Sequence, residues 1–317
     1  MALNLLTFLR STRSLAGRRG AIATATLAVS LSLSNLAAFA GDPFRTSAPH
    51  AIGDSTEAAF EAIFKEGDYA EGKAYLAAAE ASETEEPMVH AMLASFAYLD
   101  GDWDELAVRA DLTHEKATAL IETDPLRGNL YSAVGIFLQG AHRLKTQGVA
   151  RSTPAVLGML QQVFSHLDRA ERVSSNDPEL NLIKGYMDLM LAVNLPFADP
   201  EQAINRLETY GSPTYLSHRG IALGYRDLGE YDKAMEAVDA AIQGAPNNPE
   251  LFYLKAQLYS RQGQKAKSVE MYDKAIESID QLPGSIARRI IWERCMTSGQ
   301  FTANECVTQR DSFEPTM

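Results

Sequence analysis

Residues 215–248, YLSHRGIALGYRDLGEYDKAMEAVDAAIQGAPNN, and residues 249–282, PELFYLKAQLYSRQGQKAKSVEMYDKAIESIDQL, align without a gap. Each residue of the first stretch has a counterpart 34 positions later, and several of these pairs match as small residues or as larger apolar residues. The matching pairs are Ala222 and Ala256, Tyr225 and Tyr259, Gly229 and Gly263, Ala234 and Ser268, Val238 and Tyr272, and Ala241 and Ala275. A period of this length predicts stacked helix–turn–helix units.

The residue types at the matched positions suit closely packed helices. Small residues let the two helices of a unit approach, and the larger residues fill the space between units. Gly229 and Gly263 fall where the chain turns, and glycine tolerates left-handed backbone there. The same period recurs more faintly upstream, because Gly67-Asp68-Tyr69 and Gly101-Asp102-Trp103 are also 34 residues apart.

The pattern predicts an all-α, right-handed α-solenoid of about six helical pairs with a C-terminal capping helix. The predicted divisions are a signal peptide (1–40), an extended N-terminal segment (41–53), two degenerate repeats (54–123), expanded irregular helical pairs (124–212), two clear repeats (213–282), and a capping helix with a disulfide-pinned tail (283–317).

The middle of the chain departs from the 34-residue period. We expect long helices over residues 126–146 and 154–173, with Pro154 as the first helical residue after the capping pair Ser152-Thr153. Two shorter helices then open at Asn176-Asp177-Pro178-Glu179 and at Ala198-Asp199-Pro200-Glu201. These four helices would stack as expanded repeats; an independent bundle is the alternative.

The C-terminal tail contains both cysteines of the chain, Cys295 and Cys306. In an oxidising compartment two such residues predict a local disulfide that holds the tail, and the alternative is two free thiols. A helix over residues 285–297 would cover the last apolar face of the array. Residues 309–317 are expected to be extended or disordered.

The first 40 residues have the composition of an export signal. Arg10, Arg13, Arg18 and Arg19 precede an uncharged stretch that ends in Ala38-Phe39-Ala40. This small-x-small ending predicts cleavage before Gly41, with no stable membrane insertion afterwards; a retained membrane anchor is the alternative. Without the leader the chain has 25 basic and 41 acidic residues, a net charge of −16. Such a surface repels nucleic acid, so we expect protein partners.

The two C-terminal repeats are identified as members of the tetratricopeptide-repeat (TPR) family by the residues quoted above. The segments Asp42-Pro43-Phe44-Arg45-Thr46-Ser47 and Pro49-His50-Ala51-Ile52-Gly53-Asp54 also resemble exported cyanobacterial TPR proteins of uncharacterised function. This second resemblance implies a location in the periplasm or the thylakoid lumen. It implies no catalytic residues.

The sequence contains no recognisable catalytic or metal-binding motif. It has no phosphate-binding glycine loop, no Gly-x-Ser-x-Gly elbow and no His-Glu-x-x-His, and its six histidines are isolated from one another. Acidic groups such as Asp100-Asp102-Asp104 lack the glycine and distal glutamate of an EF-hand loop. We therefore expect a protein that is not an enzyme and that has no metal site and no cofactor.

The inner face of the two clear repeats is the predicted binding site. By the spacing of the repeat, its candidate contact residues are Arg219, Leu223, Arg226, Tyr253, Gln257 and Arg261. Three arginines on one face of an acidic protein favour an extended peptide that is acidic or ends in a carboxylate. The alternative is that these arginines pair with neighbouring acids. Two other functions stay open: a structural homo-oligomer that self-associates through its N-terminal face, and an accessory domain of a cell-envelope enzyme.

Overall fold

The computed structural model describes residues 41–194 and 199–315, and the regular structure in these ranges is helical throughout. The helices are α1 Asp54–Phe60, α2 Tyr69–Ser82, α3 Pro87–Asp100, α4 Trp103–Leu120, α5 Pro125–Gln147, α6 Val149–Val173, α7 Pro178–Asn194, α8 Pro200–Tyr210, α9 Thr214–Leu228, α10 Tyr231–Gly244, α11 Pro249–Arg261, α12 Lys265–Ile276, α13 Gly284–Ser298 and α14 Ala303–Asp311. A π-helical turn, Glu61–Glu66, continues α1, and a 3₁₀ turn, Ile279–Gln281, follows α12. The predicted all-α class is confirmed.

Successive helices form six pairs, from α1 with α2 to α11 with α12, and each pair packs against the next. The small residues at the repeat positions are fully buried between the helices, as their spacing predicts; they are Ala222, Ala234, Ala241, Ala256, Ser268 and Ala275. Gly229 ends α9 with φ of 79°, and Gly263 follows α11 with φ of 73°. The sequence therefore places both turns correctly.

Five of the described helices, four of which are the first helix of a pair, begin with the same local arrangement. A carboxylate or amide side chain accepts a hydrogen bond from the first-turn backbone, and the next residue is a proline, whose missing N–H costs nothing there. The cap–proline pairs are Glu86-Pro87, Asp124-Pro125, Asp177-Pro178, Asp199-Pro200 and Asn248-Pro249. This arrangement explains why the helix starts in the irregular middle region are also predictable.

The prediction for Pro154 is wrong, because α6 begins five residues earlier, at Val149. Gly148 reverses the chain by itself with φ of 79°, so that α6 follows α5 directly. Ser152 does not cap a helix; its hydroxyl donates to the carbonyl of Arg143, 3.0 Å away. Pro154 is the sixth residue of α6, so α6 lacks the hydrogen bond that an N–H at this position would donate to the carbonyl of Ala150.

The N-terminal segment, residues 41–53, has no helix or strand, but it packs firmly against the array. Phe44 and Ile52 are buried in the main apolar core. The Arg45 guanidinium donates to Asp177, 2.7 Å away, and to Glu179, 3.0 Å away. This segment therefore ties the start of the described chain to the start of α7.

The first helical pair contacts the C-terminal repeats. The Asn248 amide donates to the carbonyl of Phe64 at 3.1 Å, and the Tyr69 hydroxyl donates to Glu250 at 3.0 Å. Helix α3 also contacts α13. The inner face of α9 and α11 is consequently covered at their N-terminal ends and open at their C-terminal ends.

The predicted disulfide is present between Cys295 in α13 and Cys306 in α14, and both residues are fully buried. The sequence analysis did not predict α14, whose last residues fall in the tail expected to be extended or disordered. Its start carries a reciprocal cap, in which Thr302 accepts from the amide of Glu305 and Glu305 accepts from the amide of Thr302. Residues 309–311 therefore belong to a helix, whereas residues 313–315 have no regular secondary structure.

Replacing Cys306 by serine is expected to detach α14. The loop-entropy model gives a stabilisation of roughly 2.5–3 kcal/mol for a loop of this length. Hydrogen exchange should therefore increase in α14 and at the end of α13, while α9 and α10 exchange as before. Unchanged protection in α14 would contradict this expectation.

The predicted signal peptide, residues 1–40, lies outside the described residues. Among the helices of residues 41–194 and 199–315, none combines the length and the apolar content needed to cross a membrane.

Candidate partner-binding groove

The open half of the inner face is formed by three helices, α9, α11 and α13. Side chains from these helices, together with Tyr272 of α12, surround a cavity of about 350 Å³, which we call the C-terminal groove; they include Arg226, Gln257, Ser260, Arg261, Arg289, Trp292, Glu293 and Met296. Three of the six predicted contact residues, Arg226, Gln257 and Arg261, therefore line one cavity. Helix α13 supplies most of the rest.

Glu293 is the anchor of the groove. Its Oε1 accepts from the Tyr253 hydroxyl at 3.0 Å and from Arg289 Nε at 2.8 Å. Its Oε2 accepts from Gln257 and from the Tyr272 hydroxyl, each at 3.0 Å. Burial alone would raise the pKa of Glu293, but these donors lower it below its usual value. Glu293 thus stays ionised and fixes α11, α12 and α13 relative to one another.

Tyr253, a predicted contact residue, serves this internal network. Burial and the neighbouring Glu293 carboxylate raise the pKa of the Tyr253 phenol, so that it stays a neutral donor. Its hydroxyl is therefore engaged by α13 and is not directed at a partner.

Arg226 links the two sides of the groove. Its Nη1 donates to the Gln257 side chain at 3.1 Å, and its Nε donates to Asp227 at 2.9 Å. Arg226 also lines a second cavity of about 320 Å³, where Leu223 lies with other apolar residues such as Leu189 and Leu228. The predicted contact residue Leu223 therefore faces an apolar cavity that adjoins the C-terminal groove.

Two arginines at the groove have guanidinium N–H groups that donate to no described residue. Arg261 is exposed, and its side chain makes no ion pair or hydrogen bond to any described residue. Arg289 is 67% exposed, and Glu293 is its one ion-pair partner within the described ranges. Beside them, Trp292 and Met296 are exposed apolar residues at 36% and 42%. Three arginines face two carboxylates, Asp227 and Glu293, so the groove is locally cationic.

Arg219, the sixth predicted contact residue, is placed outside the open groove. Its Nη2 donates to Glu250 at 3.1 Å, and the same carboxylate accepts from Tyr69 of the first helical pair. Burial alone would lower the pKa of Arg219, but Glu250 raises it well above its usual value. For this arginine the structure shows the alternative left open above, pairing with a neighbouring acid.

Replacing Arg219 by methionine is expected to loosen the closure of the array. The Glu250 side chain, only 8% exposed, would keep the Tyr69 hydroxyl but lose its cation, at a cost of about 2 kcal/mol. Hydrogen exchange in α2 should accelerate. Arg294→Met, which removes an exposed arginine paired with Asp273, is the matched control and should leave α2 unchanged. Equal protection of α2 in both variants would contradict the prediction.

The residues that α13 contributes were missed because the repeat changes length there. Gly263 and Gly299, which follow α11 and end α13, are 36 residues apart, two more than Gly229 and Gly263. Counting 36 residues from Tyr253 and Gln257 leads to Arg289 and Glu293. The positive φ of 67° at Gly299 marks this shifted end, and glycine spacing was the signal that could have found it.

No group of three or more His, Cys, Asp or Glu side chains in the described part of the chain is arranged to hold a metal ion. The groove itself presents cationic side chains beside an aromatic ring and a thioether.

Comparison with known proteins supports the repeat assignment. Residues 225–283 match the family model for the tetratricopeptide repeat. The chain is similar to PilW, described as a widely conserved type IV pilus biogenesis factor, at 12% identity and a TM-score of 0.45, over 71% of this chain and 90% of that one. It is also similar to human IFIT1 in complex with m7Gppp-AAAA, at 16% identity and a TM-score of 0.47, over 82% of this chain and 59% of that one. No curated protein matches its sequence.

Residues 225–283 thus match the tetratricopeptide repeat, within an all-α, TPR-like solenoid. Arrays of this kind are scaffolds that bind proteins or other ligands.

Proposed function

We propose that this protein is an exported scaffold, without catalytic activity of its own, that binds a carboxylate-bearing segment of a partner protein in the C-terminal groove. The carboxylate is an acidic side chain or a chain terminus. The observation that carries the proposal is the pair of under-used arginines, Arg261 and Arg289, beside exposed Trp292. A guanidinium binds a carboxylate through two parallel hydrogen bonds, which gives both affinity and orientation.

The geometry of the groove favours an extended segment. The cationic cavity adjoins the apolar one at Arg226, so one strand of peptide can place a carboxylate in the first and an apolar side chain in the second. The groove walls are already held by Glu293 and its four donors. Little conformational entropy of the protein is therefore lost on binding.

The test is a selection of peptides with free C-termini on the mature protein, followed by titration of the best binder. Trp292 lies in the groove, and Trp103→Phe removes the other tryptophan, so the intrinsic fluorescence of Trp292 reports occupancy. We expect affinity to fall about ten-fold or more in Arg261→Ala and in Arg289→Ala, since each removes a charge-assisted contact. Amidation of the peptide terminus, or neutralisation of its acids, should cause a similar loss.

Arg310→Ala is the matched control, because it removes an exposed arginine from α14 whose one ion-pair partner among residues 41–194 and 199–315 is the adjacent Asp311. It should bind the peptide as the wild type does. Peptides that bind equally well without Arg261 and Arg289 would refute the proposal. An RNA oligonucleotide that competes at the same arginines with higher affinity than any peptide would also overturn it.

Export and the absence of catalysis belong to the same proposal. The arginine-rich leader with its Ala38-Phe39-Ala40 ending, and the resemblance of residues 42–54 to exported cyanobacterial TPR proteins, support a periplasmic or thylakoid-lumenal location. The disulfide between Cys295 and Cys306 is consistent with an oxidising compartment. Fractionation of cells that express the tagged full-length chain tests the location; recovery in the cytoplasm would refute it.

A further inference from the structure

We propose that cleavage between Ala40 and Gly41 creates an α-ammonium group that forms an ion pair with Glu57, so that removal of the leader completes the folded N-terminus. This inference rests on the proposed export and is independent of the C-terminal groove. It takes the cleavage before Gly41 predicted from the sequence and gives the new terminus a structural role.

The first observation is that the residue after the predicted cleavage point is exposed, whereas the next residue is buried. Gly41 is exposed, whereas Asp42 is only 7% exposed and Phe44 only 4%. Asp42 accepts hydrogen bonds from the amides of Phe44 and His50 and from the Arg45 guanidinium. The folded unit thus holds the chain from Asp42 onwards and leaves Gly41 accessible on its surface.

The second observation is the position of the Glu57 carboxylate. The Gly41 backbone N–H donates a hydrogen bond to this carboxylate. A Cβ atom at residue 41 would lie 2.5 Å from Glu57 Oε1, so a side chain there would displace the carboxylate. Glycine at this position therefore lets Glu57 approach the main-chain nitrogen that cleavage would turn into an amine.

The third observation is that Glu57 lacks a cationic partner among the described residues. Three further carboxylates lie near Glu57, and they belong to Asp42, Asp54 and Glu61. Asp42 pairs with Arg45, and Glu61 pairs with Lys65, but Glu57 has no basic partner within the described residues. Burial and these neighbouring carboxylates raise the pKa of Glu57 despite the hydrogen bond from Gly41. A positive charge at Gly41 would relieve this repulsion.

The chemical step is a hydrolysis that needs only water and a signal peptidase. Water adds across the Ala40–Gly41 amide, and Ala40 leaves as a carboxylate. The nitrogen of Gly41 takes up a proton and becomes an ammonium group with three N–H donors in place of one. Because Glu57 already accepts from this nitrogen, the ammonium group is formed next to its counter-ion.

The ion pair has a defined pH range. The carboxylate raises the pKa of the α-amine above its value in the unfolded chain, so the amine's contribution is fully present below the unfolded value and is lost as the pH rises through the folded one. At low pH the pair is lost as Glu57 is protonated.

The experiment starts from the full chain, expressed with its own leader in a host that exports proteins. Intact mass and N-terminal sequencing of the exported product should show Gly41 as the first residue. The processed wild type and its Glu57→Gln variant are then labelled briefly with an amine-reactive reagent at pH 8, and the N-terminal peptide is quantified by mass spectrometry. We expect the Gly41 amine of the wild type to react roughly ten-fold more slowly, since pairing keeps it protonated.

Glu61→Gln is the matched control: it removes one carboxylate a helical turn away that already has Lys65 as partner, and it should label nearly as slowly as the wild type. A first residue other than Gly41, or an uncleaved leader, would refute the processing site. Equal labelling rates in wild type and Glu57→Gln would refute the ion pair. Neither result depends on peptide binding, so failure here is distinguishable from failure of the proposed groove.

Discussion

Replacing Arg127 by methionine is expected to lower the free energy of unfolding by about 3–5 kcal/mol, because it leaves Glu86 without its cation and removes one of the two cations that neutralise the buried Glu179. The Arg127 side chain is only 2% exposed. It forms two parallel hydrogen bonds to Glu86, of 2.8 and 3.0 Å, and lies 3.3 Å from Glu179. Glu179 is itself fully buried. Methionine fills a similar space but cannot neutralise either carboxylate.

The Arg127 network connects four parts of the chain, which explains the size of the expected effect. Glu86 caps α3, and Glu179 lies in the first turn of α7, where it also accepts from Arg45 of the N-terminal segment and from the Tyr131 hydroxyl. Burial alone would lower the pKa of Arg127, but Glu179 and Glu86 raise it well above its usual value. The network thus holds the starts of α3, α5 and α7 in register.

Chemical denaturation monitored by circular dichroism measures the effect. Arg310→Met makes the same substitution at an exposed position in α14 and should change stability by less than about 0.5 kcal/mol. If Arg127→Met destabilises the protein by less than about 1 kcal/mol, the buried network does not hold the helix starts together.

Leu207→Ala is expected to destabilise the protein by about 3–5 kcal/mol, for a different reason. Leu207 of α8 is 1% exposed and fits into spaces left by two glycines on neighbouring helices. A Cβ atom at Gly185 would lie 2.6 Å from Leu207 Cγ, and one at Gly220 would lie 2.8 Å from Leu207 Cδ1. Truncation leaves a cavity at the junction of α7, α8 and α9.

A double-mutant cycle tests whether Leu207 and a methyl group at Gly220 compete for the same space. Gly220→Ala alone should be destabilising, because its methyl group collides with Leu207. In the Leu207→Ala background the same methyl group enters the new cavity and should recover part of the lost stability. Leu157→Ala, at a residue 50% exposed on α6, is the control and should cost much less. The same sign for Gly220→Ala in both backgrounds would show that the two residues do not share one space.

Most of the helical architecture follows from local signals in the sequence. The 34-residue spacing of alanines and glycines locates the two clear repeats, and the cap–proline pairs locate helix starts even where the period fails. Pro154 misled the prediction because a proline after Ser-Thr resembles a helix start. The true start depends on the conformation of Gly148, which the sequence does not display.

The candidate groove was only partly predictable. Arg226, Gln257 and Arg261 follow from the repeat register, but the residues of α13 lie two positions beyond it. Arg219 pairs with Glu250 at a contact with the first helical pair, because Tyr69 donates to the same carboxylate. Tyr69 lies 150 residues before Arg219 in the sequence. Such a contact is set by the accumulated curvature of six helical pairs. No local pattern of residues specifies that curvature.

The contact between Tyr69 and Glu250, 181 residues apart in sequence, also bears on how the molecule folds. An open repeat array folds by local steps, and its ends can fray without disturbing the middle. In this protein the first and last repeats support one another, so neither end can fray alone. We therefore expect a single cooperative unfolding transition and slow folding, because the long loop between the ends must close before their contacts form. For the same reason, duplication of one repeat, which linear arrays tolerate, would move the two ends out of register.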